Sequence, residues 1–324
     1  MAPQTPVKII LGTYQFGDTS KDNLAVFGEN NPDGPKVLDT LYSRGYRDLD
    51  TARDYPNLAK GTSEERLGEL GAPARFTIHT KVHSGEDGAH KPENIEESIQ
   101  ASLDALKVSS VETIFLHLPD RATPLKDAAK AISDAVNKGQ CKRFGISNYS
   151  PAEVQQFIDI CDEHGYVKPS VYQGHYNPLV RGSEKELFPI LRKNNIAFFA
   201  FSPGAGGFFQ PTTASAARWS SSHPVGGAYG HLYSDPSVHA VVETVQTAAA
   251  KHGINPYEAT LRWSAFHGIL DGAQGDAIIF AVSKLEQLQK SLDAIEAGPL
   301  PQDLADAISG VYATCEAGAP PFHF

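Results

Sequence analysis

The feature that most limits how this chain can fold is a regular alternation of short apolar strands with amphipathic helices. Residues 7–13, 46–50, 76–81 and 111–117 read as strands, and residues 143–147, 170–173, 196–201 and 276–282 continue the series. Helical segments stand between them. Residues 35–44 put Val37, Leu38 and Leu41 on one face. The helix that opens at Lys91 repeats Ile95, Ile99, Leu103 and Leu106 at spacings of three and four. Ser150-Pro-Ala-Glu153 is a capping-box signature for a helix running to His164. Residues 64–70, 124–138, 183–194, 236–252, 255–267, 285–296 and 301–315 complete the helices. Regularity fails only between residues 203 and 235, a stretch dense in Gly, Ser and Ala. A loop of that length inside a compact domain is usually functional.

Eight strands, most followed by a helix, allow an open doubly wound sheet or a closed (β/α)8 TIM barrel, an α/β class in either case. The phosphate-binding pattern G-x-G-x-x-G follows none of the strands, which favours the barrel. No composition break marks a linker, so residues 1–324 are expected to form one barrel domain with extra C-terminal helices and a long loop after the seventh strand. The formal net charge of −10 argues against nucleic acid or an anionic membrane as partner. No run of 18 apolar residues suggests a membrane span. The three cysteines, Cys141, Cys161 and Cys315, are odd in number and widely spaced, which suits neither a metal site nor a disulfide framework. A cytoplasmic protein with reduced thiols is the expectation.

In a barrel, reactive side chains come from the carboxyl ends of several strands. Asp50, Lys81 and His117 close three consecutive strands, and Tyr55 stands in the loop after the first of these. A phenol is a weak acid, with a pKa near 10 in water. Beside a buried Lys–Asp pair its phenolate is stabilised, and it can protonate a carbonyl oxygen. A nearby histidine can orient that oxygen through a hydrogen bond. Singly, each residue has a plain structural explanation, since strand ends often carry polar groups. Four at neighbouring strand ends make a sharper signal.

These residues carry a family resemblance. Asp50-Thr-Ala-x-x-Tyr55, Thr80-Lys81, Leu116-His117, Gly145-Ile-Ser-Asn148, Gln173 and Phe201-Ser-Pro203 follow one another as in the aldo-keto reductases, and the likeness covers roughly residues 7–296. Val171-Tyr-Gln-Gly-x-Tyr-Asn177, Glu186-Leu-Phe-Pro189, Ala205-Gly-Gly207 and Gly275-Asp-Ala-Ile-Ile279 resemble the aflatoxin-aldehyde reductase branch. The resemblance implies a catalytic tetrad of Asp50, Tyr55, Lys81 and His117, with Tyr55 as general acid. It implies a bound nicotinamide cofactor, which the positive charge of Lys284 makes NADPH. Ser147, Asn148 and Gln173 would hold its carboxamide, and Phe201 would stack on its ring. Ser202, Pro203, Gly204 and Gly206 would line the pyrophosphate, with the loop of residues 204–233 closing over it. Ser283, Lys284, Gln287 and Ser291 would meet the adenosine phosphate, where a lysine favours a 2′-phosphate.

The chain departs from the branch at several points. Ser291 stands where an Asn is usual, and Gly204 replaces a leucine. Phe208-Phe-Gln-Pro211 replaces Gly-Lys-Tyr, and no arginine ends the chain. Tyr14, Arg53, His83, Tyr176, Phe208, Tyr229 and Phe322 are the expected pocket lining, from their positions in strand-end loops. Such an aromatic set with one cation suits a bulky or aromatic carbonyl compound. The expected function is NADPH-dependent reduction of small-molecule aldehydes or ketones, in detoxification or specialised metabolism. The alternative is a nicotinamide-binding, redox-sensing regulatory subunit on the same fold, as in the potassium-channel β-subunits. The oligomeric state stays open, a homodimer included.

Overall fold

The structure is a computed structural model, and it describes residues 5–210 and 219–324. Eight parallel strands close into a barrel in the order β1 to β8. They are β1 (Lys8–Gly12), β2 (Asp48–Asp50), β3 (Thr77–Lys81), β4 (Val111–Leu116), β5 (Cys141–Ser147), β6 (Val171–His175), β7 (Ala197–Phe201) and β8 (Ala277–Ala281). Closure is made by β1 and β8, where Ile10 lies beside Ile279. Helices α1 (Asp33–Ser43), α2 (Thr62–Glu69), α3 (Pro92–Leu106), α4 (Leu125–Asn137), α5 (Pro151–His164) and α6 (Ser183–Lys193) follow β1 to β6 in turn. After β7 come α7 (Pro224–Leu232), α8 (Pro236–Ala240), α9 (Val242–Lys251) and α10 (Pro256–Phe266). After β8 come α11 (Leu285–Glu296) and α12 (Gln302–Cys315). The open-sheet alternative is thereby excluded.

Local chemistry explains the individual elements. The Ser150 hydroxyl accepts from the Glu153 amide at 3.3 Å, and the Glu153 carboxylate accepts from the Ser150 amide at 2.8 Å. Both halves of the capping box at the start of α5 are therefore present. In α3 the residues at the expected spacing, Ile95, Ile99, Leu103 and Leu106, are all buried. They belong to the large core between the sheet and the helices, together with Leu49, Ile114, Ile146 and Phe198.

A second, smaller core fills the barrel interior, made by Ile10, Phe115, Val171, Ala197, Phe199, Ala277 and Ile279. Gly145 is required by this filling. A Cβ there would lie 2.4 Å from the Phe115 ring and 2.6 Å from the Val171 carbonyl. Side chains along a strand alternate between faces, so the position two residues beyond an inward one also faces inward. Two residues past Phe115, Val171 and Phe199 stand His117, Gln173 and Phe201. The apolar layer thus forms a floor, and the next layer towards the carboxyl ends is polar.

Two expectations are corrected. Residues 203–235 are not uniformly irregular: a 3-10 turn forms at Ala205–Gly207, and α7 lies towards the end of the stretch. Gly226, Gly227 and Gly230 disguise α7 by lowering its helix propensity. Its start is nonetheless fixed, with Pro224 in the first turn and the His223 ring accepting from the Val225 amide at 3.1 Å. The helix expected over residues 236–252 is instead two, interrupted at Val241. Residues 211–218, also part of the expected loop, lie outside the described residues.

Candidate active site

Asp50 is the last residue of β2 and Lys81 the last of β3, and both side chains are almost fully buried. The Lys81 ammonium donates to Asp50 Oδ1 at 2.5 Å and to the Thr51 carbonyl at 2.8 Å. Burial pushes the Lys81 pKa down, and the Asp50 carboxylate pulls it back up. Nζ of Lys81 also lies 4.7 Å from the centroid of the Tyr55 ring. Tyr55 is half-buried, and the His117 ring meets it edge-on at 5.5 Å, with an interplanar angle of 81°. His117 follows β4 by one residue. Burial lowers its pKa, while the Asp54 and Asp50 carboxylates act in the opposite direction. All four expected residues therefore converge at the carboxyl end of the barrel.

The neighbouring strand ends bring amides and a hydroxyl. Asn148 follows β5 with a left-handed backbone, at φ 67°. Its Nδ2 donates to Ser147 Oγ at 2.9 Å and to the His117 carbonyl at 3.0 Å. Its Oδ1 is buried and has no hydrogen-bond partner among the described residues. An unpaired buried acceptor is costly, and this one suits the amide hydrogens of a nicotinamide carboxamide. Gln173 differs from expectation. Its Nε2 donates to Asp50 Oδ2 at 2.8 Å, so the amide steadies the Lys–Asp pair. Phe201 is half-buried, with one ring face stacked on His175 at 5.1 Å.

Further along, the Ser202 and Tyr229 hydroxyls are hydrogen-bonded to each other, and the Pro203 carbonyl accepts from Ser264 at 2.8 Å. A Cβ on Gly204 would lie 2.4 Å from the Tyr257 ring, so α10 occupies the space of the leucine usual there. The Gly206 carbonyl accepts from the Trp219 indole at 3.0 Å. At the start of α11, Lys284 is exposed. The Gln287 side chain accepts from the Ser283 amide at 2.8 Å and from its hydroxyl at 3.1 Å. Ser291 is corrected: only 2% exposed, it shares the buried face of α11 with Leu288, Leu292 and Ile295 rather than facing a ligand.

The expected pocket lining divides sharply. Tyr14 meets the Tyr55 ring at 5.1 Å, and its hydroxyl donates to Asp22 and accepts from the Asn57 amide. His83 reaches the site through Asp54. Arg53, Tyr176 and Phe208 are corrected by what their side chains already hold, whereas Tyr229 and Phe322 stay half-buried. Arg53 is paired with the fully buried Glu64 at 2.7 Å, so its charge serves the loop. Tyr176 is buried, its hydroxyl donating to Glu184 and accepting from the Ile269 amide. Phe208 is buried among Phe209, Trp219, Tyr233 and His239. Tyr229 stacks parallel to Tyr233. Phe322 packs over Gly182, where a Cβ would lie 3.1 Å from its ring.

Sequence reasoning passed over Asp54, although it sits inside the Asp50-Thr-Ala-x-x-Tyr55 pattern, next to Tyr55. Its carboxylate accepts from His83 Nδ1 at 2.5 Å and from the Ser84 amide at 3.0 Å. It lies 3.8 Å from His117 Nδ1. Burial works against its charge, but the His117 and His83 rings outweigh that and hold its pKa well below the usual carboxylate range. Among the described residues, no group of three or more His, Cys, Asp or Glu side chains is arranged to hold a metal ion.

A closed eight-stranded barrel with a Tyr–Lys–Asp–His cluster at its carboxyl end belongs to the class of barrel oxidoreductases. Comparison with known proteins is specific. The Aldo/keto reductase family profile matches residues 8–313. An aldo-keto reductase of Pseudocercospora fijiensis is 35% identical over 88% of this chain and 99% of its own. The oxidoreductase sirO of Leptosphaeria maculans is 35% identical over 99% of this chain and 98% of its own. The human protein named aflatoxin B1 aldehyde reductase member 2 is 31% identical over 95% of this chain and 87% of its own. The chain belongs to the aldo/keto reductase family. It is an oxidoreductase of that family, whose members generally use NADH or NADPH. No helix among the described residues is long and apolar enough to cross a membrane.

Proposed function

We propose that this protein is an NADPH-dependent reductase of bulky or aromatic aldehydes and ketones, working as one barrel domain in the cytoplasm. The observation that carries the proposal is the buried Lys81–Asp50 pair, with its ammonium 4.7 Å from the Tyr55 ring centroid and His117 on another side of that ring. Tyr55 is the general acid and gives its phenolic proton to the substrate oxygen. Lys81 stabilises the phenolate that remains, and Asp50 keeps Lys81 charged within a site that burial would otherwise discharge. Water is largely excluded around this pair, which strengthens the attraction. His117 orients the carbonyl oxygen for attack.

NADPH, when bound, supplies the hydride. Asn148, through its unpartnered Oδ1, and Ser147 would hold the carboxamide, and Phe201 would offer a ring face. Lys284, at the start of α11, would meet a 2′-phosphate there, where a helix amino terminus also favours an anion. The relatives named aflatoxin B1 aldehyde reductase support a bulky aldehyde as substrate. The aromatic contact between Tyr14 and Tyr55 supports the same class. The test is steady-state loss of NADPH absorbance with a panel of aromatic and aliphatic aldehydes and ketones. Turnover fastest on the aromatic members is expected. Binding of NADPH with no turnover on any member would overturn the enzyme in favour of a redox-sensing subunit.

A further inference from the structure

We propose that Asp54 is a positioning residue: its carboxylate takes the Nδ1 side of the His117 ring and thereby fixes which ring nitrogen serves the substrate oxygen. The inference rests on the reading of His117 as part of the site. Its starting point is an orphan. His117 Nδ1 is buried and has no hydrogen-bond partner among the described residues. The nearest carboxylate oxygen is Asp54 Oδ2, at 3.8 Å. That is an ion-pair distance, longer than a hydrogen bond.

Asp54 is itself held from the other side. The Ser84 amide donates to Oδ2 at 3.0 Å and His83 Nδ1 donates to Oδ1 at 2.5 Å. Lys60 reaches Oδ1 at 3.3 Å from an exposed position. A carboxylate this buried is unfavourable unless its oxygens are satisfied. Here the Ser84 amide and His83 satisfy them from the end of β3, and the His117 ring, from the end of β4, stands at ion-pair distance.

The chemistry follows from donor and acceptor roles. An ionised carboxylate only accepts, so the ring nitrogen facing it carries hydrogen. With hydrogen on Nδ1, only the charged ring can donate from Nε2; the neutral ring would turn a lone pair towards the carbonyl oxygen, so His117 acts on that oxygen as the imidazolium. Asp54 stabilises that charged form. It opposes burial and Lys81, which both disfavour it, and acts with Asp50. His90 is also in electrostatic contact with His117, its own pKa lowered by burial, and the Tyr55 phenol ring meets His117 edge-on at 5.5 Å. His83 faces Asp54, Lys60 and Glu86, with Glu86 accepting from its Nε2 at 2.8 Å. Because the His83 side chain is 28% exposed, the Asp54 side of His117 is connected to solvent through one residue. The bland alternative is that Asp54 only caps the Ser84 amide and steadies its loop.

The test uses the full chain labelled with ¹⁵N-histidine. The His117 signals are assigned by their loss in His117→Gln. Hydrogen on Nδ1 is expected in the wild type, and a mixture of tautomers in Asp54→Asn. This readout needs no turnover, so it stands even if no carbonyl substrate is reduced. In turnover, Asp54→Asn should lower kcat by up to about 100-fold, the scale for a reacting group misplaced by an ångström. KM should change little, and the His117 limb of the kcat–pH profile should move to lower pH, because a charge that favoured the protonated ring is gone. Asp54→Glu should recover part of the loss. Hydrogen confined to Nε2 in the wild type would overturn the proposal without touching the reductase reading, and it needs no variant to fold. An unchanged tautomer and pH limb in a folded Asp54→Asn would overturn it equally.

Discussion

The strand ends of β2, β3, β4 and β6 and the segment after β7 both face the carboxyl end of the barrel, but they are built on different physics. The first is polar and dry, with Asp50, Lys81 and Gln173 joined by hydrogen bonds of 2.5 and 2.8 Å. The second is an aromatic cluster in which Phe208, Trp219, Tyr229 and Tyr233 pack on one another, and Tyr257 takes the place of a side chain at Gly204. A charged group set by strand register cannot shift without leaving a buried charge unpaired. An aromatic cluster on a glycine-bearing segment has no such constraint and can repack as a unit. On the function proposed above, the first region carries the chemistry and the second encloses the cofactor.

The sharpest way to break that division is Tyr55→Phe. Turnover should fall about 10²- to 10⁴-fold, the contribution of a general acid, while NADPH affinity measured by fluorescence titration stays the same. Retention of more than about a tenth of the wild-type rate would move the acid elsewhere.

Hydrogen exchange probes the second region. At NADPH concentrations near 100 times Kd, amides in residues 204–210 and 219–233 should exchange up to about 100-fold more slowly, the limit set by ligand linkage. The strand ends at Asp50 and Lys81 should change less. Equal exchange with and without cofactor would leave the aromatic segment as ordinary surface structure.

Lys284→Ala should reduce the preference for NADPH over NADH by about tenfold, the scale of one charge-assisted hydrogen bond. Titrations of both cofactors at fixed ionic strength would show it, and an unchanged ratio would remove Lys284 from the site.

The smallest effect concerns His83. Burial disfavours its charge, but hydrogen bonds to Asp54 and Glu86 outweigh this and raise its pKa. A raised histidine pKa contributes stability fully below the unfolded value, near 6.5. That contribution is lost as pH rises through the folded value. Urea unfolding of His83→Gln should therefore show a shallower loss of stability with pH above about 6.5 than the wild type. Parallel curves would mean that the ring is not charged in the folded protein.

Short-range periodicities in the sequence determined the strand–helix alternation and put Asp50, Lys81 and His117 at consecutive strand ends, whereas the barrel was favoured by the missing G-x-G-x-x-G pattern and the tetrad was implied by the family resemblance. Strand and helix periods gave the alternation, and a strand's period of two places its last inward residue at the mouth. Asp50, Lys81 and His117 were legible for that reason, and the Ser150–Glu153 capping box was legible because its partners are three residues apart. Only the tertiary structure decided how side chains from distant strands share partners. Gln173 is 123 residues from Asp50, yet it completes the carboxylate's hydrogen bonding. Arg53 was drawn to the buried Glu64, Tyr176 to Glu184 and Phe208 into the loop cluster, so these three do not line the pocket expected from loop position. Asp54 stayed hidden because nothing local distinguishes it from a solvated aspartate. Its role depends on His83 and His117, which only barrel closure brings to its two oxygens.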